Sequence, residues 1–319
     1  MSIEMSKTTL YPHIEPYSAG MLKLDNGHEM YWELSGNPNG FPAVVLHGGP
    51  GAGASAMHRR FFDPEYYKII IFDQRGSGRS KPFAEIRHNT TQDLINDMEL
   101  LRQHLDIKKW LLFGGSWGSS LALIYGINFP ERVASFILRG IFLCSQSELD
   151  WFLQGIQTVF PDHWRKFRDF LPPSERSQIL NAYYNRLASN DSEINGGATI
   201  AWVNFEGSCS TLKPSTRHLA LGSSALRMLA LARIEAHYFI NNFFLPENYI
   251  YMNLNKIFNH RCTIVQGRYD MVCPIVTADK LYSSWNGANY NIIHDAGHSA
   301  MEPLILSALV TATEDHKII

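Results

Sequence analysis

The sequence predicts an α/β fold: a mostly parallel central sheet flanked by helices, with a helical lobe inserted late in the chain. Three observations carry this expectation. Short continuous apolar runs end in glycine, histidine or aspartate, as strands buried on both faces do. A helix-periodic stretch separates the early runs. From about residue 141 to 245 the buried runs stop and an aromatic, helical pattern replaces them.

Taken in order, the strands are "AVVLHGG" (43–49), "YKIIIFD" (67–73), "KWLLFGG" (109–115) and "VASFILRG" (133–140). Between the second and third lies "TTQDLINDMELLRQHLDI", with Leu94, Met98, Leu101 and Leu105 on one stripe and Thr90 or Thr91 as its cap. The interrupted region holds Trp151, Phe152, Phe160, Trp164, Phe167, Phe170, Trp202, Phe205, Tyr238 and Phe239. The strand pattern resumes at "CTIVQGRYD" (262–270) and again at "NII" before His294. Residues 1–140 and 246–319 are therefore expected to form one domain, discontinuous in sequence, and residues 141–245 a helical cap.

Composition narrows the function. The 319 residues are 45% hydrophobic and 18% charged, with a formal net charge of -2, which offers no field for nucleic acid or acidic lipid. The start lacks a basic segment followed by an apolar stretch, and no apolar run approaches bilayer length, so a soluble cytoplasmic protein is expected. Cys144, Cys209, Cys262 and Cys273 show no paired spacing, which favours reduced thiols over a zinc site or a disulfide framework.

Gly114-Gly115-Ser116-Trp117-Gly118 matches G-x-S-x-G, a sharp strand-to-helix turn that holds a serine oxygen proud of the sheet. A hydroxyl is a weak nucleophile until a base takes its proton, and the base needs an acid to fix its tautomer. Asp270 and His298 follow in the order such a site requires, each after a late strand. His294 is the rival base, but it directly follows an apolar run, whereas His298 sits within a loop. Acyl transfer also needs two amide donors for the oxyanion. The backbone of Trp117 supplies one, and Gly49 in "VVLHGGPGAG" is expected to supply the other. No metal or organic cofactor is needed.

A rival signal lies in the same loop. Gly51-Ala52-Gly53-Ala54-Ser55-Ala56 fits G-x-G-x-x-A, with Asp73 ending the next strand, as in a dinucleotide-binding oxidoreductase. His47-Gly48-Gly49-Pro50 separates that fingerprint from its strand, and a nicotinamide site would leave Ser116, Asp270 and His298 unexplained.

Together these residues resemble the proline iminopeptidases, serine peptidases of the α/β-hydrolase fold with a helical cap. The matching stretches are "HGGPG", "DQRGSGRS", "GGSWGS", "LRGIF", "WVNFEG", "ARIEAHYF", "GRYD" and "GHS", spread over nearly the whole chain. The resemblance implies release of N-terminal proline from small peptides, with Glu206 and Glu235 of the cap binding the free amine and Phe142, Phe152 and Phe239 enclosing the pyrrolidine ring. Two carboxylates suit a protonated proline nitrogen, which carries two N–H groups. Spacing alone favours instead a structural pairing of these acids with Arg233, Arg227 or Arg217. In "DQRGSGRS" the expectation is scaffolding, with Asp73 and Arg75 paired to each other. A broader aminopeptidase or an esterase on the same fold would keep the serine, aspartate and histidine without needing the two cap acids.

Overall fold

The structure, a computed structural model, describes residues 9–213 and 225–317. Arg217 lies outside them. Among the described residues the sheet has eight strands: β1 Ser18–Lys23, β2 Glu29–Gly36, β3 Phe41–Leu46, β4 Tyr67–Phe72, β5 Trp110–Ser116, β6 Val133–Ile141, β7 Arg261–Gly267 and β8 Asn289–Ile293. Their spatial order is β1-β2-β4-β3-β5-β6-β7-β8. From β4 to β8 every pairing is parallel, while β1 and β2 join antiparallel at one edge.

The apolar runs form strands because alternate side chains enter two different cores. Val44, Leu46, Ile70, Phe72 and Leu112 face one of them, with Leu94, Met98 and Leu101 of helix α1 (Thr91–His104) and Leu121 of α2 (Trp117–Asn128). Ala43, Val45, Ile69, Ile71 and Leu111 face the other, covered by Leu309, Val310 and Ala312 of the last helix. Helix α1 begins where its sequence says it should: Thr90 accepts from Asp93 N, and the Asp93 carboxylate accepts from Thr90 N.

Between β6 and β7 the described chain contains no strand. It runs through α3 (Gln146–Leu153), α4 (Pro161–Asp169), α5 (Ile179–Leu187), α6 (Ser192–Cys209), α7 (Ala225–Ile240) and the short α8 (Tyr249–Asn253). Helices α9 (Ile275–Ser284) and α10 (Pro303–Asp315) complete the order. Phe167 joins the lobe together by stacking on Tyr183 and on Phe205, each at 4.4 Å between ring centroids. No described helix is long and apolar enough to cross a membrane.

The order β4-β3-β5 places a reversal of winding at β3, so the loops after β3 and β5 diverge at the carboxyl ends of the strands. Such a crevice is where open α/β sheets bind ligands.

Candidate active site

Ser116 ends β5 and opens α2 with φ 57° and ψ −129°. A non-glycine residue pays a steric cost in that region, and surrounding structure must hold it there. The neighbours show how the turn closes. A Cβ on Gly118 would stand 2.0 Å from Leu46 O, and one on Gly114 would stand 2.1 Å from Gly118 O. Both flanking positions of G-x-S-x-G are glycine because backbone already fills the space.

Asp270 follows β7 and His298 follows β8, as the sequence order predicts. Their side chains meet, His298 Nδ1 lying 2.8 Å from Asp270 Oδ2. The second carboxylate oxygen accepts from Cys273 N at 2.8 Å and Val272 N at 3.1 Å, which fixes the acid. His294 is exposed, whereas His298 is buried. Expected contact between base and nucleophile is absent from the resting geometry. Arg139 Nη1 donates to His298 Nε2 at 3.1 Å and to His298 O at 2.9 Å. A Cβ on Gly115 would lie 2.4 Å from Arg139 Nη2, so this guanidinium stands beside the serine turn. The polar neighbour of Ser116 Oγ is Cys273 Sγ at 4.0 Å. Burial, then the Asp270 and Glu148 charges, push the Cys273 thiol well above its ordinary pKa, so it remains neutral.

Ser116 opens on a cleft whose walls include Gly49, Phe142, Phe152, Glu206, Glu235 and Phe239. Those are the expected oxyanion, amine and ring residues, brought together from the loop after β3, the end of β6 and helices α3, α6 and α7. Phe152 and Phe239 meet edge to face at 5.6 Å. Val272 and Cys273 complete the lining with Glu148 and Leu149, the last two not having been singled out in the sequence analysis. Glu148 is recognisable as the N3 acid of α3: it accepts from Ser145 N at 2.9 Å and from Leu143 N at 3.0 Å.

Glu206 on α6, half-buried, and Glu235 on α7, buried, have an unusual setting. Glu235 is 3% exposed and accepts one hydrogen bond from Trp202 Nε1 at 2.5 Å. Among the described residues neither acid lies within ion-pair distance of a cation. Arg233, one of the partners that spacing favoured, donates instead to the carbonyls of Leu187 and Ser189. Burial raises Glu206 to about 7, and burial together with the Glu206 charge raises Glu235 well above its ordinary value.

The glycine-rich loop after β3 has no dinucleotide site. Asp73 is fully buried; its Oδ1 accepts from Ala54 N at 2.7 Å and its Oδ2 from Arg79 Nε at 2.7 Å, leaving nothing for a ribose. The expected Asp73–Arg75 pair does not form. Both Asp73 oxygens are taken by Ala54 N and Arg79, and Arg75 pairs instead with Asp97 on α1, with Nε to Oδ2 at 2.6 Å.

The helical lobe is bonded directly to the loops that carry Asp270 and His298. Ser210 O, at the end of α6, accepts from His298 N at 3.1 Å and Ser299 N at 2.9 Å. Trp151 Nε1 of α3 donates to Met271 O at 2.7 Å, beside Asp270.

Comparison with known proteins agrees with this arrangement. A family model described as the alpha/beta hydrolase fold matches residues 42–303, so the chain is an α/β hydrolase. The proline iminopeptidase of Arabidopsis thaliana is 49% identical over 98% of this chain and 83% of its own length. That of Xylella fastidiosa strain Temecula1 is 46% identical over 96% of this chain and 98% of its own, and that of Neisseria gonorrhoeae 42% over 96% and 98%. The chain belongs to the proline iminopeptidase family. Among solved structures, an esterase from Exiguobacterium antarcticum superposes with a TM-score of 0.64 at 19% identity, covering 94% of this chain and 100% of that one. The proline iminopeptidase of Mycobacterium smegmatis gives 0.61 at 14%, covering 94% and 99%; both are likenesses of fold.

Proposed function

We propose that this chain is a serine exopeptidase that releases N-terminal proline from small peptides through an acyl-enzyme. The observation that carries the reading is one cavity lined by Ser116 together with two acids, Glu235 buried and Glu206 half-buried, that have no cationic partner among the described residues. A buried carboxylate is costly to ionise unless a cation meets it. The protonated nitrogen of an N-terminal proline supplies that cation, and an internal peptide nitrogen does not. Family membership supports the same substrate.

In this reading residues 141–245 are the cap, and Glu206 and Glu235 accept the two N–H groups of the substrate amine. Phe142, Phe152 and Phe239 enclose the ring. Ser116 Oγ attacks the proline carbonyl carbon and its proton passes to His298 Nε2, while Asp270 holds Nδ1. The oxyanion is met by the amides of Gly49 and Trp117. Collapse of the tetrahedral species breaks the peptide bond, and His298 returns the proton to the departing amine. Water then attacks the ester, its proton again taken by His298, and proline leaves with Ser116 restored. Because Nε2 faces Arg139 in the resting site, substrate binding must exchange that bond for one to Ser116; catalytic hydrogen bonds commonly tighten only in the complex. Cytoplasmic residence belongs to the reading, supported by four buried cysteines that form no disulfide.

The test is Ser116→Ala, assayed with a chromogenic proline amide. Turnover is expected to fall by at least about 10³-fold with the thermal melt unchanged. Retention of most activity would refute the assignment. Parallel assays with N-acetylproline amide and a simple ester separate the exopeptidase from a general amidase or esterase.

A further inference from the structure

Gln74, in the sequence "DQRG", joins three consecutive strand ends. It follows β4, His47 follows β3, and Trp117 follows β5, in the spatial order β4-β3-β5. Gln74 Nε2 donates to His47 O at 2.9 Å, and Gln74 Oε1 accepts from Trp117 Nε1 at 2.9 Å. The Gln74 backbone N–H donates to His47 Nε2 at 3.0 Å, and His47 Nδ1 lies 3.0 Å from Gly48 O. All three side chains are essentially buried, at 2% exposure or less.

The chemistry of the partners allows one arrangement. An indole N–H can only donate and a carbonyl can only accept, so the Gln74 amide cannot flip without setting donor against donor and acceptor against acceptor. The same logic fixes His47: Nε2 accepts from a backbone N–H and Nδ1–H donates to a carbonyl. Burial lowers the His47 pKa and keeps the ring neutral, as that tautomer requires.

An oxyanion hole made from two separate chain segments works only if its two donors hold a fixed separation before charge develops. Here one expected donor, Gly49 N, is two residues past His47, and the other, Trp117 N, belongs to the residue whose indole Gln74 holds. The sheet pairs β3 with β5 only as far as Leu46 and Gly114. Beyond that point the Gln74 amide bridges the two loops.

We propose that Gln74 is a positioning residue that sets the spacing of the oxyanion donors, acting through His47 on one side and Trp117 on the other. The inference rests on the acyl-transfer reading above. It concerns the step in which charge develops, and it leaves ground-state binding in the cap untouched.

Gln74→Met keeps the length of the side chain and removes both polar ends. The expected result is a kcat on proline amide lowered about 10- to 100-fold, the scale of a small misplacement in a reacting site, with KM within about 3-fold. Affinity for prolyl boronic acid, whose tetrahedral serine adduct presents an oxygen to the two amides, should fall by the same factor as kcat/KM. Affinity for pyrrolidine, which has the ring and the amine but no oxygen for the two amides, should not change. Trp117→Phe removes the indole donor from the other end, and the double variant should lose less than the product of the two single losses. If Q74M does not fold, W117F with the same two ligands carries the test.

Wild-type kcat and boronate affinity in a folded variant would overturn the proposal. So would parallel loss of boronate and pyrrolidine affinity, which marks a general structural role. Ser116→Ala in the same assays separates the two readings. A dead S116A with an unimpaired Q74M overturns the positioning role alone, and an active S116A removes the reading beneath it.

Discussion

Glu33 in the sheet and Glu235 in the helical lobe are hidden almost equally, at 1% and 3% exposure, yet they are pushed in opposite directions. Burial raises both. At Glu33, on β2, Arg59 Nε donates to one oxygen at 2.8 Å, while Arg79 Nη1 at 2.8 Å and Tyr31 OH at 2.9 Å donate to the other. Against the burial that raises it, the bonds from Arg59 and Tyr31 and the charge of Arg79 hold this acid below its ordinary pKa. At Glu235 one neutral indole is the hydrogen-bond donor, and burial with the Glu206 charge prevails. One acid is satisfied by the fold itself; the other has no cationic partner among the described residues. An ion pair completed within the protein reads as structure, and an incomplete one facing a cavity reads as a binding site.

Removing the compensation should make the first acid behave like the second. Arg59→Met leaves Glu33 buried with one guanidinium fewer, and losing one partner of a buried pair costs about 3 kcal/mol or more. For a chain of this length that corresponds to a fall in Tm on the order of 5 °C. A melt within 1 °C of the parent, to within about 0.5 kcal/mol, would place Glu33 among pairs that contribute little. Since Arg59 is not among the residues that line the site, KM for proline amide should hold while stability falls.

This contrast was only partly legible in the sequence. Strands β3 to β7 announce themselves because continuous apolar runs suit a doubly covered sheet, and the glycines around Ser116 announce a turn. Strands β1 and β2 were not read: "SAGMLK" and "EMYWELSG" carry the mixed, half-buried patterns of a sheet edge, which short polar segments also show. Partner choice was the weaker part. Nothing in "DQRGSGRS" says that Asp73 takes Arg79 or that Arg75 takes Asp97, because turn geometry and the distance to α1 decide those pairs. Gln74 was invisible for the same reason, its bonds reaching residues 27 and 43 positions away. In the cap, spacing pointed to arginine partners for Glu206 and Glu235; the family resemblance supplied the opposite expectation.

The comparison is sharpened by neutralising the unmatched acid. Glu235→Gln keeps an acceptor for the Trp202 indole and removes the charge. A hydrogen bond to a charged group contributes about 1.5–3 kcal/mol, so kcat/KM on proline amide should fall by about 10- to 150-fold. A simple ester without the amine should change by less than about 3-fold, and Tm should stay level or rise, because the substitution removes a buried ionisable group. The opposite pattern, a lower Tm with amine selectivity intact, would make Glu235 a structural acid like Glu33.

The comparison also carries a pH dependence, and its sign follows from which state holds the proton. Glu206 titrates at about 7 in the empty fold against 4.5 ordinarily. Below both values it is neutral whether the chain is folded or not. As pH rises between them the unfolded chain ionises while the native acid keeps its proton, so this group's contribution to stability declines up to about pH 7 and is level above. A protonated substrate amine, with an ordinary pKa near about 8, stays charged across that window and requires the ionised acid. Binding must therefore expel the proton, and KM should fall as pH rises toward 7 by at most about tenfold per unit, then flatten. KM for an ester lacking the amine should show no such slope, and Glu206→Gln should abolish it for the proline amide. Equal slopes for both substrates would place the titrating group outside the amine site. The proton lost on binding would then have to be sought among the groups behind Ser116 rather than in the cap.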